Sequence, residues 1–383
     1  MQSMLSIVFL LLIKTTTGYL VPDPPGEYNV TLTVGTLTDY TRNDPSVATP
    51  TPRTLVLSVF QPAKCATTVP VTYMPNTTAE FQGPYLQQQF NISANFTPLF
   101  LEARLPVCPK APSSCSPLDD GPILLFSGGW NIPRLYYNVL ASAIASEGFT
   151  VITIDHPGDT NIITYPDGHA VIGDGPGNPD GDEYAQYTYA RAADASFIID
   201  QLSNATAMGG LLPQRGPRQF PTNRVAMMGH SLGGATSIHA AGQDTRIRGA
   251  IDWDGSFFGS LPPSGLSTPV LLVSEELGNV TDPTWDALWP QLKGPKLWLE
   301  VANTTHMSFS DALVLLQASG QDTTGAFADL LGSIAPAELV RLLVAYTTAW
   351  MNGAVRGKVG GPLLQGKEPR RFPEVKTVSS SNL

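Results

Sequence analysis

Residues 225–241 read Val-Ala-Met-Met-Gly-His-Ser-Leu-Gly-Gly-Ala-Thr-Ser-Ile-His-Ala-Ala, and few architectures admit such a run. A short apolar strand, Arg224 to Met228, enters Gly229-His230-Ser231-Leu232-Gly233. A helix of small residues, Leu232 to Ala241, leaves it. Turning a strand straight into a helix brings two backbones together within a few residues. Gly229 and Gly233 remove the Cβ atoms that would collide, and Ser231 stands at the apex in a strained conformation. That posture lifts the hydroxyl into solvent and sets the following helix N-terminus behind any negative charge developing beside it. The motif by itself is only moderately specific, and a glycine-rich turn with an incidental serine is the plain alternative. The surrounding chain decides between them.

From Pro122 onward, short continuous apolar runs alternate with helical patterns. Pro122–Phe126, Thr150–Ile154, Ile247–Trp253, Pro269–Val273 and Lys296–Val301 have the texture of strands buried on both faces. Pro133–Ser146, Glu183–Leu202, Ser308–Leu316 and Ala337–Met351 are predicted helices, the first with Pro at its opening turn. Such alternation implies a mostly parallel sheet built through right-handed crossovers, with ligands at the carboxyl ends of the strands. With the serine turn in its midst, this is the α/β-hydrolase pattern. Upstream, Tyr28–Val34 and Arg53–Phe60 are strand candidates. Residues 63–117 are expected to be an irregular covering layer. The expected division is a leader over 1–18, a covering region over 19–117 and a catalytic core over 118–383, the last two forming one structural unit.

A serine hydroxyl is a weak nucleophile and needs a base. On this architecture the chain order is Ser, then acid, then His. Of the five histidines, His156, His169 and His230 precede Ser231, and His239 sits on the helix leaving the turn. His306, after the strand Lys296–Val301, remains as the base. The acid that orients it has four candidates. Asp252 and Asp254 end the strand after the turn, and Glu275 and Glu276 end the next. Asp254 is preferred because it precedes Gly255, where strand gives way to loop. The oxyanion hole needs two backbone donors. They are expected from the Leu232 amide and from the Trp130 amide in Ser127-Gly128-Gly129-Trp130. The plainer role for Trp130 is a packing aromatic, and the two are compatible.

Bulk properties narrow the context. A formal net charge of −10 argues against nucleic acid as a partner. It leaves open a transient apolar contact with a lipid surface. No protein partner and no metal or cofactor is called for by these residues. The acidic run from Asp174 to Glu183 fails the alternate-ligand spacing of a calcium loop and is expected to be a mobile loop beside the site. Met4–Ile13 is apolar and too short to span a bilayer, with small residues following, as in a secretory leader. No Lys or Arg precedes it. Sequons begin at Asn29, Asn76, Asn91, Asn95, Asn204, Asn279 and Asn303, an excess that fits export. In an oxidising compartment two of Cys65, Cys108 and Cys115 pair. Cys65–Cys108 is preferred, and the local pair Cys108–Cys115 is its rival.

These residues resemble the secreted-type platelet-activating-factor acetylhydrolases and their fungal relatives, over roughly residues 39–375. Phe126-Ser127-Gly128-Gly129-Trp130 is similar to that family's oxyanion loop, with Gly128 where His is common. The segments Gly148-Phe149-Thr150-Val151 through Asp155-His156, Gly229 through Thr236, and Thr305-His306 with Phe309 and Asp311 are similar as well. Asp244-x-Arg246-x-Arg248 leads without a gap to Asp254, which the resemblance makes the acid. The resemblance implies calcium-independent hydrolysis of short or oxidised acyl groups on phospholipids, the sn-2 acetyl group of platelet-activating-factor-like lipids foremost. A cutinase- or polyesterase-like enzyme would share the triad and differ in pocket shape. A peptidase on the same fold would cleave amides. A silent binding module would ignore a fluorophosphonate probe.

Overall fold

The structure is a computed structural model. It describes residues 18–383 apart from 45, 46, 48, 92–94, 110–114, 119, 120, 174–176, 178, 216, 217 and 279–281. The expected leader, all but Gly18, and the sequon at Asn279 lie outside these residues, as does part of the 174–183 run.

Nine long strands carry the sheet: β1 (Asn29–Asn43), β2 (Pro52–Cys65), β3 (Ile123–Ser127), β4 (Thr150–Asp155), β5 (Val225–His230), β6 (Ile247–Trp253), β7 (Val270–Ser274), β8 (Lys296–Val301) and β9 (Val375–Ser381). With the short strand Cys115–Pro117 on β2, the described residues form one ten-stranded sheet. Its order is β1-β2-β4-β3-β5-β6-β7-β8-β9. Strands β4, β3, β5, β6, β7 and β8 are parallel. β1 and β2 join them antiparallel on one side, and β9 closes the other edge antiparallel.

Strands β3 to β8 are mostly apolar because both faces are covered. In β5, Val225 and Met227 pack into one core cluster, while Ala226 and Met228 pack into the other. In β3, Ile123 and Leu125 divide from Leu124 and Phe126 in the same way. The chain runs from β3 to β4 on one side of β3 and then returns to β5 on the other. The carboxyl ends of β3 and β5 therefore flank a topological switch point, where the flanking loops part and leave a crevice.

Two helices matter most for this crevice. Helix α1 (Asn138–Ala145) follows the loop after β3, and helix α2 (Gly181–Leu202) backs it. Asp180 and Glu183, from the acidic run, form the capping box of α2: the Asp180 carboxylate accepts from the Asp182 and Glu183 amides. That end of the run is helix start, not loop.

Residues 63–117 are more ordered than the sequence implies. They hold a 15-residue helix, Asn76–Phe90, and a small antiparallel sheet of Val69–Thr72 with Arg104–Val107. The helix buries Thr78, Ala79, Gln82 and Gly83, a small and polar face, and contains Pro84. Hydrophobic periodicity has nothing to detect there. Cys65 and Cys108 are disulfide-bonded, which removes the Cys108–Cys115 pairing.

Candidate active site

Ser231 follows β5 and precedes the helix α3 (Leu232–Gln243), with φ 57° and ψ −126°. A non-glycine residue holds this conformation only when its surroundings impose it. Here they do. A Cβ on Gly229 would lie 2.1 Å from the Gly233 carbonyl carbon, and one on Gly233 would lie 2.0 Å from the Ser127 oxygen. The Ser231 amide donates to the Trp253 carbonyl at 2.8 Å, fastening the turn to β6.

His306 opens a short 3-10 turn, His306–Phe309, beyond β8. Its Nδ1 lies 2.6 Å from Oδ2 of Asp254. The other oxygen of Asp254 accepts the Glu275 amide at 2.8 Å, so each carboxylate oxygen is engaged. Burial alone would depress the imidazole. The hydrogen bond and charge of Asp254, with the charge of Glu275, leave it raised above its ordinary value. Nearly half of the His306 side chain remains accessible, on the cavity side.

None of the other three carboxylates takes the Nδ1 hydrogen bond of His306. Asp252 is fully buried and accepts the Gly255 amide at 2.9 Å. Burial, with the nearby charges of Asp254 and Asp282, holds its carboxyl well above the usual range. Glu276 accepts the Asn303 amide at 2.6 Å. Glu275 is raised by burial and by Asp254.

Ser231, Asp254, His306, Trp130 and Leu232 all line one cavity of about 690 Å³. Trp130, Tyr184 and Phe258 make an aromatic wall, with ring centroids 5.7 and 4.8 Å apart along the series.

His230 has a part that elimination from the base role did not reveal. It is buried, and its Nε2 lies 2.9 Å from the His306 carbonyl, so that nitrogen donates. Its Nδ1 lies 2.9 Å from the Tyr137 hydroxyl, which accepts the Gly129 amide at 2.9 Å. The hydroxyl therefore donates to Nδ1, and the ring is neutral, as burial and the nearby His306 charge both require. One hydrogen-bonded chain thus joins the loop after β3, the serine turn and the backbone of His306. Nothing in the sequence marks Tyr137 as its middle link.

Asp155 and His156 serve the base of the loop. Asp155 pairs with buried Arg134. His156 lies 3.0 Å from Ser127 Oγ through Nε2 and 2.8 Å from Asp194 through Nδ1. This second Ser-His-Asp series is at most 1% exposed at each residue, so no substrate reaches it. Asp311 also turns inward. It accepts the Val139 and Leu140 amides at the start of α1 and the Tyr73 hydroxyl, and burial pushes its carboxyl up to about 7.

A model of the alpha/beta hydrolase family matches residues 123–370. One described as platelet-activating factor acetylhydrolase, isoform II, matches residues 18–175. A "Probable 1-alkyl-2-acetylglycerophosphocholine esterase" of Arthroderma benhamiae is 29% identical over 381 residues, covering 94% of each chain. The platelet-activating factor acetylhydrolase of Gallus gallus is 24% identical over 277 residues, covering 61% of this chain and 62% of its own. A ferulic acid esterase from Streptomyces cinnamoneus superposes with a TM-score of 0.76 at 24% identity, over 94% of this chain and 100% of its own, a likeness of fold.

Proposed function

This chain belongs to the alpha/beta hydrolase family, and we propose that it is a serine esterase that cleaves short acyl esters, the sn-2 acetyl group of platelet-activating-factor-like phospholipids above all. The observation that carries the chemistry is the His306–Asp254 pair opening into the same cavity as Ser231. The full-length relative named for 1-alkyl-2-acetylglycerophosphocholine carries the substrate.

Ser231 Oγ attacks the ester carbonyl while His306 Nε2 takes its proton. Asp254 holds the Nδ1–H tautomer and stabilises the imidazolium that forms. The amides of Trp130 and Leu232 receive the oxyanion of the tetrahedral intermediate, where each donor is worth roughly 100- to 1,000-fold in rate. His306 then returns the proton to the leaving alcohol. Water, deprotonated by the same imidazole, frees the acyl group from Ser231. The aromatic wall of Trp130, Tyr184 and Phe258 gives the substrate's apolar portion a surface to pack on.

Export is part of the same reading, supported by the apolar run Met4–Ile13, the sequons and the Cys65–Cys108 bond. Among the described residues no helix is long and apolar enough to cross a membrane. Residues 19–117 and 118–383 are taken as one structural unit, supported by the pairing of Val56–Phe60 in β2 with residues of β4.

The test is fluorophosphonate labelling followed by a substrate panel. Wild type should label, and Ser231→Ala should not. A wild type that resists the probe overturns the esterase reading. Turnover of a soluble aryl acetate with none of 1-alkyl-2-acetylglycerophosphocholine would keep the chemistry and sink the substrate.

A further inference from the structure

The loop Ser127-Gly128-Gly129-Trp130 has two consecutive glycines, so its own torsional preferences do not settle which way its peptide planes face. Something outside the loop must do so. We infer that Arg191, on α2, is the positioning residue that turns the Trp130 amide toward Ser231. This rests on the oxyanion role proposed above.

Arg191 is 1% exposed and uses all five of its N–H groups. Nε and Nη2 each lie 2.7 Å from an oxygen of Asp159, which anchors the guanidinium. Nη1 donates to the Gly128 carbonyl at 2.6 Å and to Ser127 Oγ at 3.3 Å. Nη2 also donates to the Gly129 carbonyl at 3.2 Å. In a trans peptide, C=O and N–H point in opposite directions, and no described peptide is cis. With the Gly128 carbonyl on Arg191, the Gly129 N–H points away, where it meets Tyr137. With the Gly129 carbonyl on the same guanidinium, the Trp130 N–H must also point away. The next plane is held separately: the Asn131 amide donates to the Asp159 carbonyl at 3.0 Å. Among the described residues the Trp130 amide donates to no protein group.

The fork geometry is essential. An ammonium has three donors from one point and cannot hold both Asp159 oxygens and two successive carbonyls, four acceptors, at once. The buried Ser127–His156–Asp194 series then makes sense as scaffold. It fixes the Ser127 hydroxyl on which the guanidinium also rests.

The experiment compares wild type, Arg191→Lys and Asp159→Asn on an aryl acetate. A trifluoromethyl ketone, whose hemiketal oxygen needs the hole, serves as inhibitor. Labelling and turnover by wild type establish the proposed chemistry first, so its failure shows separately. Arg191→Lys should lose kcat by about 100-fold, with KM within about threefold and ketone affinity falling in parallel. The acid limb of the pH profile should stay in place, because Asp254 and His306 are untouched. Asp159→Asn, a shape-conserving change that loosens the anchor, should lose about tenfold in the same pattern. If Arg191→Lys does not fold, Asp159→Asn decides alone. A folded variant with lowered melting temperature but wild-type kcat and ketone affinity overturns the inference, as does a loss confined to KM.

Discussion

Asp252 and Asp254 stand two residues apart at the end of β6, yet only Asp254 turns its carboxylate to His306. Asp254 has φ 57°, which swings its carboxylate out to His306. Asp252 is buried against Gly234 and Gly255, and burial raises its carboxyl well above the ordinary range. Asp254→Asn should therefore cut kcat by about 10⁴-fold, because an amide there favours the wrong imidazole tautomer. Asp252→Asn keeps the oxygen that accepts the Gly255 amide and should cost about 1 kcal/mol or less, leaving kcat within tenfold. Steady-state kinetics on the two variants test this. Equal losses would dismiss the assignment.

The environment of His306 sets the pH dependence. Its folded-state pKa is raised, so protonation persists to higher pH than for a free imidazole near 6.5. The protonated ring cannot take the Ser231 proton. The kcat/KM profile should thus fall on the acid side with a midpoint above 6.5, and removing the Asp254 charge should move that midpoint down. A midpoint below 6.5 in wild type would contradict the geometry.

Substituting Gly229 of the serine turn and Gly209 of the short helix Ala205–Leu211 separates close approach from ordinary flexibility. Gly229→Ala places a Cβ 2.1 Å from backbone, which no rotamer relieves, and should destabilise by about 3 kcal/mol or more with loss of labelling. Gly209→Ala, with nothing within 4 Å, should be neutral or raise stability by about 0.5–1 kcal/mol. Thermal melts of both variants provide the comparison.

The Cys65–Cys108 bond closes a loop with a sequence separation of 43. On the chain-entropy account its reduction should cost about 4 kcal/mol. In a chain of 383 residues that is a melting shift of about 5 °C. The bond takes no part in the cavity, so kcat at 25 °C should not change under reductant. A melting curve and an activity assay, with and without reductant, check both halves.

Legibility in the sequence followed the physics of burial. β3 to β8 were readable because strands covered on both faces must be continuously apolar, and that pattern is local. The helix Asn76–Phe90 was not, because its buried face is Thr78, Ala79, Gln82 and Gly83. β9 was missed as well. Its Val-Lys-Thr-Val-Ser-Ser-Ser pattern belongs to a largely exposed edge, where pairing with β8 supplies the order that side chains do not. In the cavity, Tyr137 and Arg191 act through partners 93 and up to 64 residues away, and no spacing encodes such contacts.

The serine turn is where the two kinds of information meet. The sequence by itself determined that Ser231 stands at the apex of a strand-to-helix turn, because the glycine pattern and its flanks are local consequences of sterics. It also left His306 as the one histidine placed to serve as base, through chain order and, for His239, its place on the helix leaving the turn. The sequence preferred Asp254 among four carboxylates, but only tertiary structure sets that carboxylate against His306 and the Arg191 guanidinium against the loop after β3. Those choices depend on how separate strands and helices converge at one end of a sheet, burying Asp252 and leaving its neighbour facing His306.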